Sequence, residues 1–285
     1  ASLGSGSSGA SAYTVHGSTA LASGVDASFP LNKPVLVTRG AGLDAKIGGD
    51  SYLGKSLEKI YRQAGAVVVV VRTDDVEGDA TEKTGAFALL RAQSDLGVTP
   101  RILLAESAST VENIGSLKSV AASLRAVVVV GIDVSSGTDA TGWMTDNGNE
   151  RVYGIWPFVN GGEDPAPMVA GAGAKSDNDR GFWWSWSSQE VFGINSLDYP
   201  VDFQLGDSTS LANILNEGKV ATFIREGGFR LWGNLTGSVD AKWQFLCVRR
   251  TADIINDSIR RAHMWAIDRP ITGYFFEDVA ESVSA

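Results

Sequence analysis

The chain has 285 residues, 44% of them hydrophobic and 20% charged, which is ample for one large domain or two smaller ones around an ordinary core. Its formal net charge of −9 lacks the basic footprint of a general nucleic-acid binder, and no apolar run approaches the roughly 20 residues that span a bilayer. The single cysteine, Cys247, excludes an internal disulfide; on an apolar run ahead of a helix it reads as a buried structural thiol.

Taken in order, Ala1 to Gly9 is rich in Ser and Gly and reads as a linker, and residues 1–28 together are expected to be a flexible leading segment or residual arm. Val35-Leu36-Val37-Thr38 is a short strand behind Pro34. Leu53, Leu57, Ile60, Tyr61 and Ala64 recur at helical spacing, and Val67 to Val71 is a β-branched run of the kind buried on both faces of a sheet. Thr81 to Leu96 predicts a helix, Ile102 to Ala105 a strand, Val111 to Leu124 a second amphipathic helix, and Val127 to Val130 another strand. Strands and helices alternating at this spacing predict right-handed crossovers and an α/β fold with a mostly parallel sheet flanked by helices.

From Asp133 to Asn149 the composition turns to Gly, Ser, Thr and Asp and predicts a loop, which divides a first α/β part (29–150) from a second (151–285). Val152 to Val159 resumes as a strand whose Pro157 places it at an edge or an end. Met168 to Lys175 predicts a helix of small residues, and its Ala170-Gly171-Ala172-Gly173-Ala174 run lets another backbone approach closely. Asp207 to Asn216 reads as a short helix capped near Asp207, and Val220–Arg225 and Phe229–Trp232 as additional short strands joined at Gly227-Gly228. A long helix toward the C-terminus carries Val248, Ala252, Ile255, Ile259, Ala262 and Ala266 as one apolar stripe. Arg249, Arg250, Asp253, Asn256, Asp257, Arg260 and Arg261 occupy the rest of its surface, and Pro270 stops or kinks it.

The search for chemistry turns up no complete set. Gly40-Ala41-Gly42 with Ala45, followed by Asp74 and Asp75 after the next strand, has the outline of a dinucleotide fingerprint, but Gly48-Gly49 interrupts the chain where the phosphate-binding helix must start. His16 and His263 have no second ligand at metal spacing, and Asp177-Asn178-Asp179 lacks the distal bidentate Glu of a calcium loop. Two histidines leave no base for a nucleophile, and the pairs Glu163-Asp164 and Asp74-Asp75 read as solvated loop charges. Phe182, Trp183, Trp184, Trp186 and Phe192 exceed what packing alone needs, so some belong at subunit contacts or, as an alternative, at a carbohydrate-stacking face.

Several phrases recur together in a known order. Phe29-Pro30-Leu31-Asn32-Lys33-Pro34 precedes a strand, and Arg180-Gly181-Phe182-Trp183-Trp184 follows a helix. Asn216-Glu217 leads into Val220–Arg225, then come Gly228-Phe229-Arg230-Leu231-Trp232-Gly233-Asn234 and Arg250-Thr251-Ala252, on a helix running to His263-Met264-Trp265-Ala266. From about Phe29 to Ile271 the chain resembles contractile tail sheath proteins, in the branch of P2-like phages and R-type pyocins.

That resemblance implies a non-enzymatic structural subunit that polymerises helically around an inner tail tube and contracts, driving the tube through a target envelope. Its implied partners are other sheath subunits, the inner tube protein, the baseplate and the tail terminator, with no cofactor, metal, nucleic acid or membrane. The implied location is a virion or phage-tail-like particle assembled in the host bacterial cytoplasm. The chain departs from the pattern at both ends: a Gly/Ser-rich start stands where the linking arm is expected, and the tube-contacting C-terminal domain does not follow residue 285. It is therefore expected to be a core fragment that does not form a linked sheath alone. The competing expectation is a nucleotide- or small-molecule-binding α/β protein with a pocket at the carboxyl ends of Val35–Thr38 and Val67–Val71.

Overall fold

The computed structural model describes residues 11–16, 29–38, 51–74 and 76–284, with side chains described for 29–38, 51–74 and 76–281. The strands are β1 (Ser11–His16), β2 (Pro34–Val37), β3 (Val68–Thr73), β4 (Ile102–Ala105), β5 (Val127–Gly131), β6 (Val152–Ile155), β7 (Val220–Arg225) and β8 (Phe229–Trp232). The α-helices are α1 (Tyr52–Gln63), α2 (Ala92–Leu96), α3 (Val111–Leu124), α4 (Gly137–Asn147), α5 (Ala166–Arg180), α6 (Leu211–Glu217), α7 (Leu246–Ala262) and α8 (Gly273–Ser284); 3-10 turns span Gly85–Arg91 and Met264–Ala266.

The strands form one sheet in the order β2-β3-β1-β4-β5-β6-β7-β8. All neighbours from β3 through β7 are parallel, and the two edges, β2 and β8, are antiparallel. The apolar runs divide by the pleat as strand geometry requires. Val68, Val70, Ile102, Leu104, Val127 and Val129 face a core layer closed by α1 and α5. Val69, Val71, Leu103, Val128 and Val130 face the opposite layer, closed by the 3-10 turn, α3 and α4.

The α/β architecture and the mostly parallel sheet agree with the sequence pattern, and the differences have local causes. Ser11–His16, expected in a flexible segment, is an interior strand between β3 and β4; its short run among Ser and Gly gives no periodic signal. The Asp133–Asn149 stretch, expected as a loop, contains α4, started by the Ser136 hydroxyl accepting from the Asp139 N–H at 3.1 Å and held by buried Ala140 and Met144. Thr81–Leu96 is a turn, a 3-10 stretch and the short α2 rather than one helix. The cap of α6 is Ser210, with Asp207 bonded to Thr209 in the preceding turn.

The antiparallel β2 also removes the geometry of the competing reading. A ligand crevice forms outside the carboxyl ends of parallel neighbours, and the carboxyl ends of β2 and β3 point to opposite ends of the sheet. The glycine cluster from Gly40 to Gly49, and Asp75, lie outside the described residues.

Helices α1 and α5 cross closely because α5 is lined with small residues. A Cβ on Gly171 would lie 3.0 Å from the backbone oxygen of Ile60, and one on Gly173 would lie 2.6 Å from the Trp186 ring. The small-residue run thus admits a neighbouring backbone as its composition predicts. Replacing Gly171 by Val is expected to lower stability by about 1–3 kcal/mol through overpacking, read as a shifted urea midpoint at constant slope; a midpoint equal to wild type would show that the helices can part freely.

Candidate intersubunit surface

Helix α7 runs along the amino ends of β4, β5 and β6 with a charged face turned inward. Arg250, Asp253 and Asp257 recur at i, i+3 and i+7 on one face, and each is met by an opposite charge. Arg250 donates two hydrogen bonds to Asp177 in the last turn of α5, one of them Nη1 to Oδ1 at 2.7 Å. Its guanidinium sits 4.8 Å from the centre of the Trp186 ring, and Trp186 Nε1 donates to Asp177 Oδ1 at 3.2 Å. Asp253 accepts from Arg151 at 2.7 and 3.0 Å and from Arg249 at 2.8 Å. Asp257 is shared by Arg101 and Arg125.

The three arginines facing α7 from the sheet have a common position. Arg101 immediately precedes β4, Arg125 stands two residues before β5, and Arg151 immediately precedes β6. They mark the amino ends of three adjacent parallel strands, and the α7 carboxylates clamp that edge. Two of the three are also held by backbone: Arg101 Nη1 donates to the Leu124 carbonyl at 2.7 Å and Arg151 Nη1 to the Ala126 carbonyl at 3.1 Å.

Because the charged face is used internally, the apolar stripe points outward. Val248, Ile255 and Ile259 are 42%, 51% and 40% exposed, whereas Arg250 and Asp253 are buried. Of the polar and charged set, Arg250 and Asp253 are buried and Arg249 and Asp257 half-buried, while Asn256, Arg260 and Arg261 are exposed. The arrangement was signalled only by alternating Arg and Asp at one helical face, a pattern that a solvated helix shares. Arg151, Arg101 and Arg125, which complete it, carried no sequence signal, and Asp177 drew notice only as part of a calcium-loop-like run.

The residues quoted for the family resemblance fall in three places. At one sheet edge, Phe29 and Pro34 are buried, Leu31 bridges to Arg72, and Asn32 takes a positive φ of 52° with its Oδ1 accepting from the Gly85 N–H at 3.0 Å; Pro30 is half-buried and Lys33 exposed. At the other edge, Gly228 and Gly233 have φ of 139° and 129° around β8, Phe229 lies beneath the Arg225 guanidinium, and Arg230 donates to the Ser188 carbonyl at 3.0 Å. Trp232 packs edge-on against Phe203, Tyr153 donates to the Gly233 carbonyl at 2.8 Å, and Asn234 Nδ2 donates to Cys247 Sγ at 3.2 Å. Burial pushes the Tyr153 phenol well above its usual pKa range.

These lead directly into α7, where Thr251 donates to the Cys247 carbonyl at 2.7 Å and Arg250 reaches Asp177. Cys247 is half-buried rather than buried. Trp265 stands apart, beyond α7, tilted on Phe275 with Arg269 over its ring. After α5, Gly181 (φ 100°) takes the Trp183 ring against its Cα, Phe182 meets Trp183 edge-on, and Arg180 lies over Trp184. Trp186 is buried, while Trp183 and Trp184 remain 57% and 50% exposed beside Phe192 at 40%. The five aromatics are thus one core anchor, Trp186, a half-buried Phe182 and three exposed rings.

Among the described residues no catalytic constellation accompanies this surface. Among the described residues no group of three or more His, Cys, Asp or Glu could hold a metal ion. Asp177 and Asp179 lie inside α5 rather than in a calcium loop. Glu163 pairs with Lys59 at 3.1 Å, and Asp164 accepts from the Tyr52 hydroxyl at 2.9 Å and the Ala166 N–H at 2.8 Å. Desolvation pushes the Asp164 carboxyl above its ordinary pKa, so these acids do structural work at the start of α5 instead of lying free in a loop.

No family model matches the chain. Individual relatives do. A prophage major tail sheath protein of Pseudomonas aeruginosa (strain UCBPP-PA14) is 34% identical over 92% of this chain and 74% of its own length. The tail sheath protein of Escherichia phage P2 is 32% identical over 94% of this chain and 76% of its own length. In fold, the chain is similar to the contracted helical sheath of the anti-feeding prophage, with a TM-score of 0.67 at 15% identity over 98% of this chain and 76% of the other. It is likewise similar to the contracted sheath complex of the extracellular contractile injection system PVC, with a TM-score of 0.69 at 14% identity over 98% and 75%.

The fold is that of a sheath subunit core. The chain belongs to the contractile tail sheath protein family, as its similarity to the P2 and Pseudomonas prophage sheath proteins shows.

Removing Arg250 leaves Asp177 buried and uncompensated, so Arg250→Ala is expected to cost about 3–5 kcal/mol in equilibrium unfolding. Ile255→Ser, on the outward face of the same helix, should stay within about 0.5 kcal/mol of wild type. Equal losses at the two positions would mean that the stripe, not the charged face, is the packed side of α7.

Proposed function

We propose that this chain is a structural subunit of a contractile tail sheath, polymerising helically around an inner tail tube and contracting to drive the tube through a target cell envelope. The observation that supports this most is the 34% identity to a prophage tail sheath protein across 92% of the chain. The geometry supports it independently. The core is an α/β body pinned by buried ion pairs, and its spare apolar and aromatic groups, on α7 and at Trp183 and Trp184, are exposed, as contacts to neighbours would require.

In this reading the subunit moves as a rigid body between two sets of neighbour contacts, the contracted set lower in free energy. It is not an enzyme and uses no cofactor. Its partners are other sheath subunits, the inner tube protein, the baseplate and the tail terminator, in a virion or phage-tail-like particle assembled in the bacterial cytoplasm.

Electron microscopy of the full-length gene product that carries this chain, mixed with its inner tube protein and baseplate, tests the reading. Sheath-like striations or subunit rings on tubes are expected, and Ile255→Asp/Ile259→Asp should reduce decoration by an order of magnitude or more through burial of unpaired charge at the contact. Bare tubes at saturating full-length wild-type protein would contradict a sheath role.

A further inference from the structure

Where α7 passes the amino ends of β4 and β5, a cleft of about 350 Å³ opens, and its charge is one-sided. Arg101, Arg125, Arg260 and Arg261 line it with a single carboxylate, Asp257, which Arg101 and Arg125 already share. Arg260 and Arg261 are exposed and make no ion pair among the described residues. Met264, 62% exposed, gives the cleft an apolar lip. On a chain with a net charge of −9, four arginines facing one acid form a local cationic patch that attracts a complementary anionic surface.

The same chain carries such a surface. Helix α8 (GYFFEDVAESVS) has three acids and no basic residue. Tyr274, Glu277, Asp278 and Glu281 fall at i, i+3, i+4 and i+7, on one face, and all four are exposed, Tyr274 at 78%. None of the three acids pairs with a cleft arginine of its own chain. A subunit with two different, mutually complementary patches left unsatisfied makes a head-to-tail contact, and a head-to-tail contact that does not close on itself propagates as a helical filament.

We propose that the arginine cleft is an intersubunit socket that receives the acidic face of α8 from a second copy of this chain, the carboxylates pairing with Arg260 and Arg261 and Tyr274 lying against Met264. This rests on the sheath reading and gives it one specific contact.

The test is sedimentation velocity of the 285-residue chain over a concentration series, at low and high salt. Wild type should associate with rising concentration, less so at high salt, because exposed pairs are screened. R260E/R261E and E277K/D278K/E281K, all at exposed positions and expected to melt as wild type, should each weaken association about tenfold or more. An equimolar mixture of the two should regain it, since every acidic face then meets a basic cleft in trans. Three results would each overturn the proposal: a wild type that stays monomeric throughout, charge reversals without effect, and a mixture that stays dissociated while the chain carrying both sets of changes recovers, which would place α8 on its own cleft. None of these touches the sheath role, which stands or falls on decoration of the inner tube by wild type.

Discussion

The buried pairing of α7 with the sheet is the constraint on which the rest of this molecule depends. Three strand-leading arginines and one helix-ending aspartate meet α7, and Arg250, Asp253 and Asp257 on its inner face are all paired. Ion pairs of this kind add little net stability over well-packed apolar groups, since desolvation offsets much of the attraction, but breaking one leaves a buried charge alone. Their effect is to fix orientation. An amphipathic helix held by its apolar side would hide that side; held by its charged side, it keeps Val248, Ile255 and Ile259 outside. The polarity of α7 toward the body thereby creates the apolar surface available to neighbours.

The remaining features fit a subunit that must stay rigid while its neighbours rearrange. The sheet interior is packed on both faces, with Val, Ile and Leu from β3, β4 and β5 alternating between two layers. Trp186 ties α5 to α7, packing edge-on against Tyr153 while stacking under Arg250 and bonding Asp177. Force applied to α7 therefore reaches the sheet through charged hydrogen bonds and an aromatic contact, both intolerant of small displacements. The clamp lies at the amino ends of the strands, opposite the end where open α/β sheets hold ligands.

Much of the architecture was legible because buried strands and amphipathic helices have unambiguous periods. Val67–Val71 and Val127–Val130 read directly as interior strands, Val111–Leu124 as a helix, and the Ala-Gly alternation of α5 as a close crossing. Other parts were hidden for physical reasons. Ser11–His16 is an interior strand without an apolar run, and α4 has helix-poor Gly and Thr and depends on the Ser136 cap and two buried side chains. The direction of β2 is set by tertiary pairing and leaves no mark in its four residues. The orientation of α7 is the plainest case. Its hydrophobic stripe was visible, but which side faces the core depends on Arg101, Arg125, Arg151 and Asp177, distant in sequence and with nothing local that ties them to the helix. Family resemblance identified the chain through phrases such as Gly228–Asn234 without revealing why they matter; the structure places that phrase at the entry to the clamped helix.

Hydroxyl-radical footprinting of the chain, free and assembled on its inner tube, addresses the central claim directly. The account predicts that Val248, Ile255 and Ile259 are oxidised in the free chain and protected on assembly, while the buried Trp186, intrinsically far more reactive, stays protected in both. Protection of the stripe already in the free chain, with oxidation of Trp186, would mean that α7 packs by its apolar face and that the charged clamp does not exist.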